Sequence, residues 1–202
     1  DDPDMALEAL ENGETDMISL GRPLLADPDY VNKLRSGRVS EIRPCISCHE
    51  GCMGRIQEYS MLNCAVNPQA CRERANALNP VRIPKKVMII GGGVAGCEAA
   101  RVLALRGHMP SLYEKGSRLG GNLLPGGAPD FKEDDIALAD WFTTMLEKLR
   151  VPVYLNTEAS ADDIRKSGAD AVILATGSVP KVFSLGADEH VYTAAQVLMK
   201  EK

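Results

Sequence analysis

At 202 residues the chain has room for one full domain and part of another. Hydrophobic residues make up 45% and charged residues 25%, a balance that can bury a core and excludes disorder as the default. The formal net charge is -5 and no stretch concentrates Lys and Arg, which excludes the electrostatic footprint of a nucleic-acid binder.

The chain opens on Asp1, Asp2, Pro3 and Asp4, the opposite of a basic signal-peptide start, and holds no run of about 18 apolar residues. It reads as cytoplasmic, with no membrane partner. It starts inside a helical pattern without an initiator Met and stops just after another, so it reads as a piece of a longer polypeptide.

In chain order, Asp4 to Glu11 spaces Met5, Leu7, Ala9 and Leu10 as a helix that Asn12-Gly13 stops. Asp16 to Leu20 is a short apolar run that predicts a strand, closed by Gly21-Arg22-Pro23. Two short helices are expected over 24–26 and 28–36. This is one βα unit whose sheet neighbours must precede residue 1, because a lone parallel strand cannot satisfy its backbone. From Arg43 to Pro84 periodicity vanishes, and a bound metal centre is what would impose geometry there. Beyond it come a buried strand at Lys86–Ile90, a helix at Val94–Arg106, a strand at Ser111–Tyr113, a long helix at Phe131–Leu149 and a strand at Val151–Leu155. A short helix at Asp162–Lys166, a buried strand at Ala171–Ala175 and a last strand at Val191-Tyr192 complete the pattern. Strands alternating with helices predict a parallel α/β sheet.

Four of the six cysteines, Cys45, Cys48, Cys52 and Cys64, are separated by two, three and eleven residues. In a chain without a secretory signal such crowding points to metal rather than disulfides. Four thiolates suit tetrahedral zinc or an iron–sulfur cluster. Structural zinc usually takes two separated C-x-x-C knuckles, whereas here three cysteines are bunched and one is remote, which favours the cluster and leaves zinc and unliganded thiols as the alternatives. His49 reads as a solvent-facing loop residue, and Cys71 and Cys97 as ordinary thiols outside the spacing.

Gly91-Gly92-Gly93-Val94-Ala95-Gly96 satisfies G-x-G-x-x-G between a predicted strand and a predicted helix, the context that gives the pattern its meaning. Gly91 allows the tight turn, Gly93 lets the backbone approach a pyrophosphate, and Gly96 lets the helix pack on the strand. Glu114, 18 residues past Gly96, is placed to accept from ribose hydroxyls and disfavours a 2′-phosphate. These glycines alone do not separate FAD from NAD.

The order of these motifs resembles the central part of the 2,4-dienoyl-CoA reductase, trimethylamine dehydrogenase and NADH:flavin oxidoreductase family. Gly21-Arg22-Pro23-Leu24 with Asp27-Pro28 is similar to the end of that family's FMN-binding TIM barrel. C-x-x-C-x-x-x-C, a distant Cys and Asn67-Pro68 follow. G-G-G-V-A-G then comes with Tyr113-Glu114-Lys115, Leu119-Gly120-Gly121 and Ala175-Thr176-Gly177-Ser178-Val179-Pro180. The resemblance implies Gly21 and Arg22 on the FMN phosphate, and a 4Fe-4S cluster on the four cysteines. It implies FAD, or ADP in the amine branch, against Gly91, Gly93, Val94, Ala95, Gly96, Glu114, Lys115, Gly121, Ala175, Thr176 and Gly177. It also implies electrons passing from NAD(P)H through FAD and the cluster to FMN, and reduction of an enoyl-type substrate held by a barrel outside this chain. One departure is Ala70-Cys71 after Asn67-Pro68, where relatives often carry glycine.

The expected organisation is therefore α/β: the last βα unit of a TIM barrel at 1–42, a cluster-binding connector at 43–83 and a partial Rossmann domain at 84–202. No catalytic residue falls in the chain, which alone should not turn over substrate. Its partners are a small-molecule substrate and, left open, further copies of itself. The rivals are an amine dehydrogenase of the trimethylamine type, a zinc-stabilised nucleotide module without redox chemistry, and a small ferredoxin-like carrier.

Overall fold

The computed structural model describes residues 2–181 and 191–199. It divides into two compact units, Asp1–Ala77 and Leu78–Lys202.

The first unit is built from short helices and turns. Helix α1 (Pro3–Glu11) starts where Asp2 Oδ1 accepts from the amide of Asp4 at 2.8 Å, with Pro3 in the first turn where no amide is needed. Helices α2 (Arg22–Ala26) and α3 (Tyr30–Arg35) follow. Asp27, 5% exposed, joins them to what comes next. Its carboxylate accepts from Lys33 Nζ at 2.5 Å, from the amide of Asp29 at 3.1 Å and from the amide of Arg43 at 2.8 Å. A buried carboxylate is tolerated only when paired and hydrogen-bonded in this way. Residues 16–20 form no strand, contrary to the sequence expectation. The described residues offer that segment no sheet partner, and an apolar run without one cannot build a ladder.

The second unit is a four-stranded parallel sheet in the order β3-β2-β1-β4. Its strands are β1 (Lys86–Ile90), β2 (Met109–Tyr113), β3 (Val153–Tyr154) and β4 (Ala171–Leu174). The central β1 is buried from Val87 to Ile90, as its unbroken apolar run predicts. Between strands lie α4 (Val94–Leu105), α5 (Leu123–Gly126), α6 (Glu133–Lys148) and α7 (Ala161–Lys166). The acids Glu133, Asp134 and Asp135 in the first turn of α6 and Lys148 in its last complement the helix dipole. Its Leu138, Trp141, Phe142 and Leu146 form the inward stripe.

Helix α4 packs on the sheet through small residues: Gly96, Cys97 and Ala100 are all buried. A Cβ on Gly96 would lie 1.8 Å from the carbonyl oxygen of Gly91, so no larger residue fits. Cys97 is fully buried and its Sγ donates to the Gly92 carbonyl at 3.2 Å. Burial, then the charges of Glu114 and Glu98, push its thiol up to about 12. Arg101, also buried, is held by Glu98 at 2.6 Å and lies 5.7 Å from the centroid of Trp141, tying α4 to α6.

Two expectations change here. Residues 171–174 do form a strand, but at the sheet edge: Leu174 is 72% exposed, so an apolar run that reads as doubly covered has one open side. Val191-Tyr192 form no strand and lead into α8 (Ala194–Leu198), where Thr193 Oγ1 accepts from the Gln196 amide at 3.3 Å and Gln196 Oε1 from the Thr193 amide at 2.9 Å. Among the described residues no helix is long and apolar enough to cross a membrane.

Two predictions follow from this packing. Gly96→Ala should cost about 2 kcal/mol, because the clash is with backbone that cannot step aside, and denaturant titration of the variant reads the loss. In the folded protein at pH 7.5, Cys97 should resist alkylation by iodoacetamide while the exposed Cys71 reacts, as mass mapping of the labelled peptides will show.

Candidate functional site

Parallel pairing brings the predicted dinucleotide residues to one end of the sheet. Ile90 lies opposite Tyr113 on one side and Leu174 on the other, so the segments beginning at Gly91, Glu114 and Ala175 leave the sheet at the same level. The connections through β2 and β3 run to one side of β1 while β4 lies on its other side, a topological switch point at the carboxyl ends of the strands.

The motif glycines serve different needs. Gly91 has φ +109, and a Cβ there would meet the Ala175 carbonyl oxygen at 2.2 Å, so the turn itself requires glycine. Gly96 is required by the α4 contact. Gly93 is not required by the protein: its backbone is extended, and the nearest atom to an added Cβ is the Gly121 Cα at 3.9 Å, ordinary contact. It opens the N-terminus of the twelve-residue α4, whose first turn carries the exposed Val94 and Ala95. Gly120 donates its amide to the Gly92 carbonyl at 2.9 Å, and Gly121, φ +55, would clash with the Gly93 Cα at 2.9 Å if it carried a Cβ. The Gly120-Gly121 loop thus closes over the glycine turn, an interaction that the spacing of the motif does not announce.

Glu114 is fixed from both oxygens: Oε2 accepts from the Gly92 amide and Oε1 from the Gly116 amide, each at 2.6 Å. A carboxylate has about four acceptor sites, so two remain for an outside donor. Lys115 beside it is exposed. Ala175 donates its amide to Ile90 at 2.8 Å, and Thr176 and Gly177 continue exposed beyond it.

In the first unit Cys45, Cys48, Cys52 and Cys64 line one cavity together with Arg22, Leu25, Ile46, His49, Gly51, Ala65 and Val66. The remote cysteine is brought in by Gly51. The Asn63 amide donates to the Gly51 carbonyl at 2.8 Å, and a Cβ on Gly51 would fall 2.2 Å from Asn63 Oδ1. Ser47 and His49, on either side of Cys48, both have positive φ, 51° and 59°. Non-glycine residues in that region persist when surroundings over-determine them. A π-helical turn at Glu50–Gly54 carries Cys52. Burial pushes the Cys45 thiol up, while the Ser47 amide and the Arg22 charge draw it back. Among the described residues no three His, Cys, Asp or Glu side chains are drawn closely enough to hold a single metal ion.

The frame around this cavity is polar. Buried Asn67 donates Nδ2 to the Leu25 carbonyl at 2.9 Å, and Arg43 Nη1 donates to the Val66 carbonyl at 2.9 Å. Sequence reasoning missed their role, although an Asn before Pro68 in a region without periodicity was a signal to follow. His49 is exposed, as a loop residue should be, but its contact with Arg22, Nε2 to Nη1 at 2.9 Å, was not foreseen. Gly21 is exposed ahead of α2, with open space where a Cβ would be.

The chain resembles known proteins along its whole length. The chain is 50% identical over 202 residues to the cinnamate reductase of Clostridium sporogenes, covering 100% of this chain and 30% of that protein. The solved structure of a 2-naphthoyl-CoA reductase in complex with 2-naphthoyl-CoA superposes with a TM-score of 0.94 at 31% identity, over 100% of this chain and 31% of that one. Histamine dehydrogenase from Rhizobium sp. 4-9 superposes with a TM-score of 0.86 at 26% identity, over 100% of this chain and 31% of that one. The chain thus spans about a third of the length of the relatives it matches. The family described as pyridine nucleotide-disulphide oxidoreductase matches residues 85–202, more than half of the sequence, and the chain belongs to it.

Proposed function

We propose that this chain is the central part of an NAD(P)H-dependent iron–sulfur flavoprotein that reduces an enoyl-type C=C bond. In this reading residues 1–42 close an FMN-binding barrel, 43–83 hold a 4Fe-4S cluster and 84–202 hold FAD. When bound, FAD supplies the step from hydride to single electrons, the cluster a one-electron relay, and FMN the reduction of substrate. Cys45, Cys48, Cys52 and Cys64 would ligate the cluster, and Gly21 and Arg22 would meet the FMN phosphate. The α4 N-terminus and the bare Gly93 would take the pyrophosphate, with Glu114 on the ribose and Val94, Ala95, Lys115, Gly121, Ala175, Thr176 and Gly177 around them. Substrate is assigned to the barrel outside this chain, and a reducing, cytoplasmic setting suits the free thiols.

The observation that carries the redox reading is the single cavity shared by four cysteines, one of them eleven residues from the others. Structural zinc usually takes two separated C-x-x-C knuckles. Here three cysteines are bunched and one is remote, and all four line one cavity, which supports a cluster. Likeness to a cinnamate reductase and a naphthoyl-CoA reductase supports a conjugated acid or thioester as substrate. The amine branch, represented by histamine dehydrogenase, is the second reading, supported by lower identity.

Two experiments test this reading. Protein purified without oxygen should be brown, with iron and acid-labile sulfide in near-equal amounts. Cys64→Ala should lose most of the iron and Cys71→Ala none. A colourless zinc protein refutes the assignment, and bleaching by Cys71→Ala in place of Cys64→Ala moves the fourth ligand. In the second experiment, acid extraction of the wild type should release FAD, whereas ADP would favour the amine branch. Gly93→Val should fold and keep its full iron content yet lose the nucleotide, because its side chain starts in space where the protein places no atom closer than 3.9 Å and a ligand must pass. Normal nucleotide retention would show the fingerprint to be idle.

A further inference from the structure

His49 follows the second cysteine of the cavity, and its ring reaches out of the cysteine loop to Arg22, Nε2 to Nη1 at 2.9 Å. A guanidinium can only donate, so in this contact Nε2 is the acceptor. The root of the ring is fixed: the backbone sits in the left-handed region at φ 59, and the His49 carbonyl accepts from the Gly54 amide at 2.8 Å. Arg22, at the first position of α2, lines the same cavity as the four cysteines.

Resting on the function proposed above, we infer that His49 is a positioning residue that pins Arg22 between the cysteine cavity and the FMN phosphate, so that one guanidinium charge serves both redox centres. Two consequences follow. A fixed positive charge beside the cluster stabilises its reduced, more negative state and raises its midpoint potential. A guanidinium already held in place also loses less freedom on meeting a phosphate, which strengthens FMN binding. The cysteine loop and the phosphate arginine then act as one mechanical unit, although His49 and Arg22 lie 27 positions apart.

The test uses the full-length cofactor-loaded protein with His49→Leu and His49→Gln, which share the same backbone strain and similar bulk, while only glutamine offers an acceptor near the position of Nε2. Redox titration of the cluster and the rate of FMN release are read, with iron, sulfide and FAD content as controls. In His49→Leu the midpoint should move to more negative potential and FMN release should quicken by about tenfold, with the three controls unchanged. His49→Gln should restore both readings. Loss of the cluster in His49→Leu with retention in His49→Gln also supports the role, since the acceptor alone separates them. Wild-type behaviour in both variants, or equal damage in both, overturns the inference. A wild-type protein free of iron and sulfide would instead overturn the parent reading, and this one with it.

Discussion

Ile90 of β1 lies opposite both Tyr113 and Leu174, and the unit from Leu78 to Lys202 is organised by that register. Parallel strands in register end together, so three loops distant in sequence leave the sheet side by side. A slip of one residue on either side would turn the side chains of that strand to the opposite face and misplace Glu114 or Ala175. The register is itself held by the turn that follows. Gly91 accommodates the Ala175 carbonyl, Gly96 accommodates the Gly91 carbonyl, and Glu114 binds the Gly92 amide. Strand ends and glycine turn therefore specify each other. Gly93 stands apart as a glycine that the fold itself does not need.

The unit from Asp1 to Ala77 is held by a different kind of physics. Its buried apolar residues are few, and much of its connectivity runs through Asp27, Arg43 and Asn67, each buried and each bonded to backbone far away in sequence. Such polar frames are demanding, because each member must find its partner or the unit loses more than an apolar contact would. Within the frame, the cysteine loop carries two non-glycine residues at positive φ and a π-helical turn. Ligand bonds from a metal centre would offset that strain and add folding free energy that the small core cannot supply.

Much of the second unit was legible in the sequence because its signals are local. The run at 86–90, the glycines after it and the stripe of α6 each state their structure within a few residues. The edge position of β4 was not legible, since an apolar run is the same whether or not its outer face is covered. The strand expected at 16–20 failed for a related reason: apolar composition allows a strand, but only a partner makes one. For the cysteines, sequence spacing named the group but not the device that assembles it. The Gly51–Asn63 contact and the reach of His49 to Arg22 are tertiary, joining residues twelve and 27 positions apart through backbone shape.

The six cysteines show how environment rather than residue type assigns chemistry. Burial alone raises a thiol, and Cys97, enclosed by α4 and facing the charges of Glu114 and Glu98, is carried to about 12, where it is a small apolar filler with a weak donor. Cys45 is also raised by burial, yet there the Ser47 amide and the Arg22 guanidinium oppose the rise. A metal centre takes thiolates and must expel their protons. Burial thus goes unopposed at Cys97 beside the glycine turn and is only partly opposed at Cys45 in the cysteine cavity. The opposition comes first from the Ser47 amide and then from the Arg22 guanidinium, whose Nη1 lies 2.9 Å from His49 Nε2.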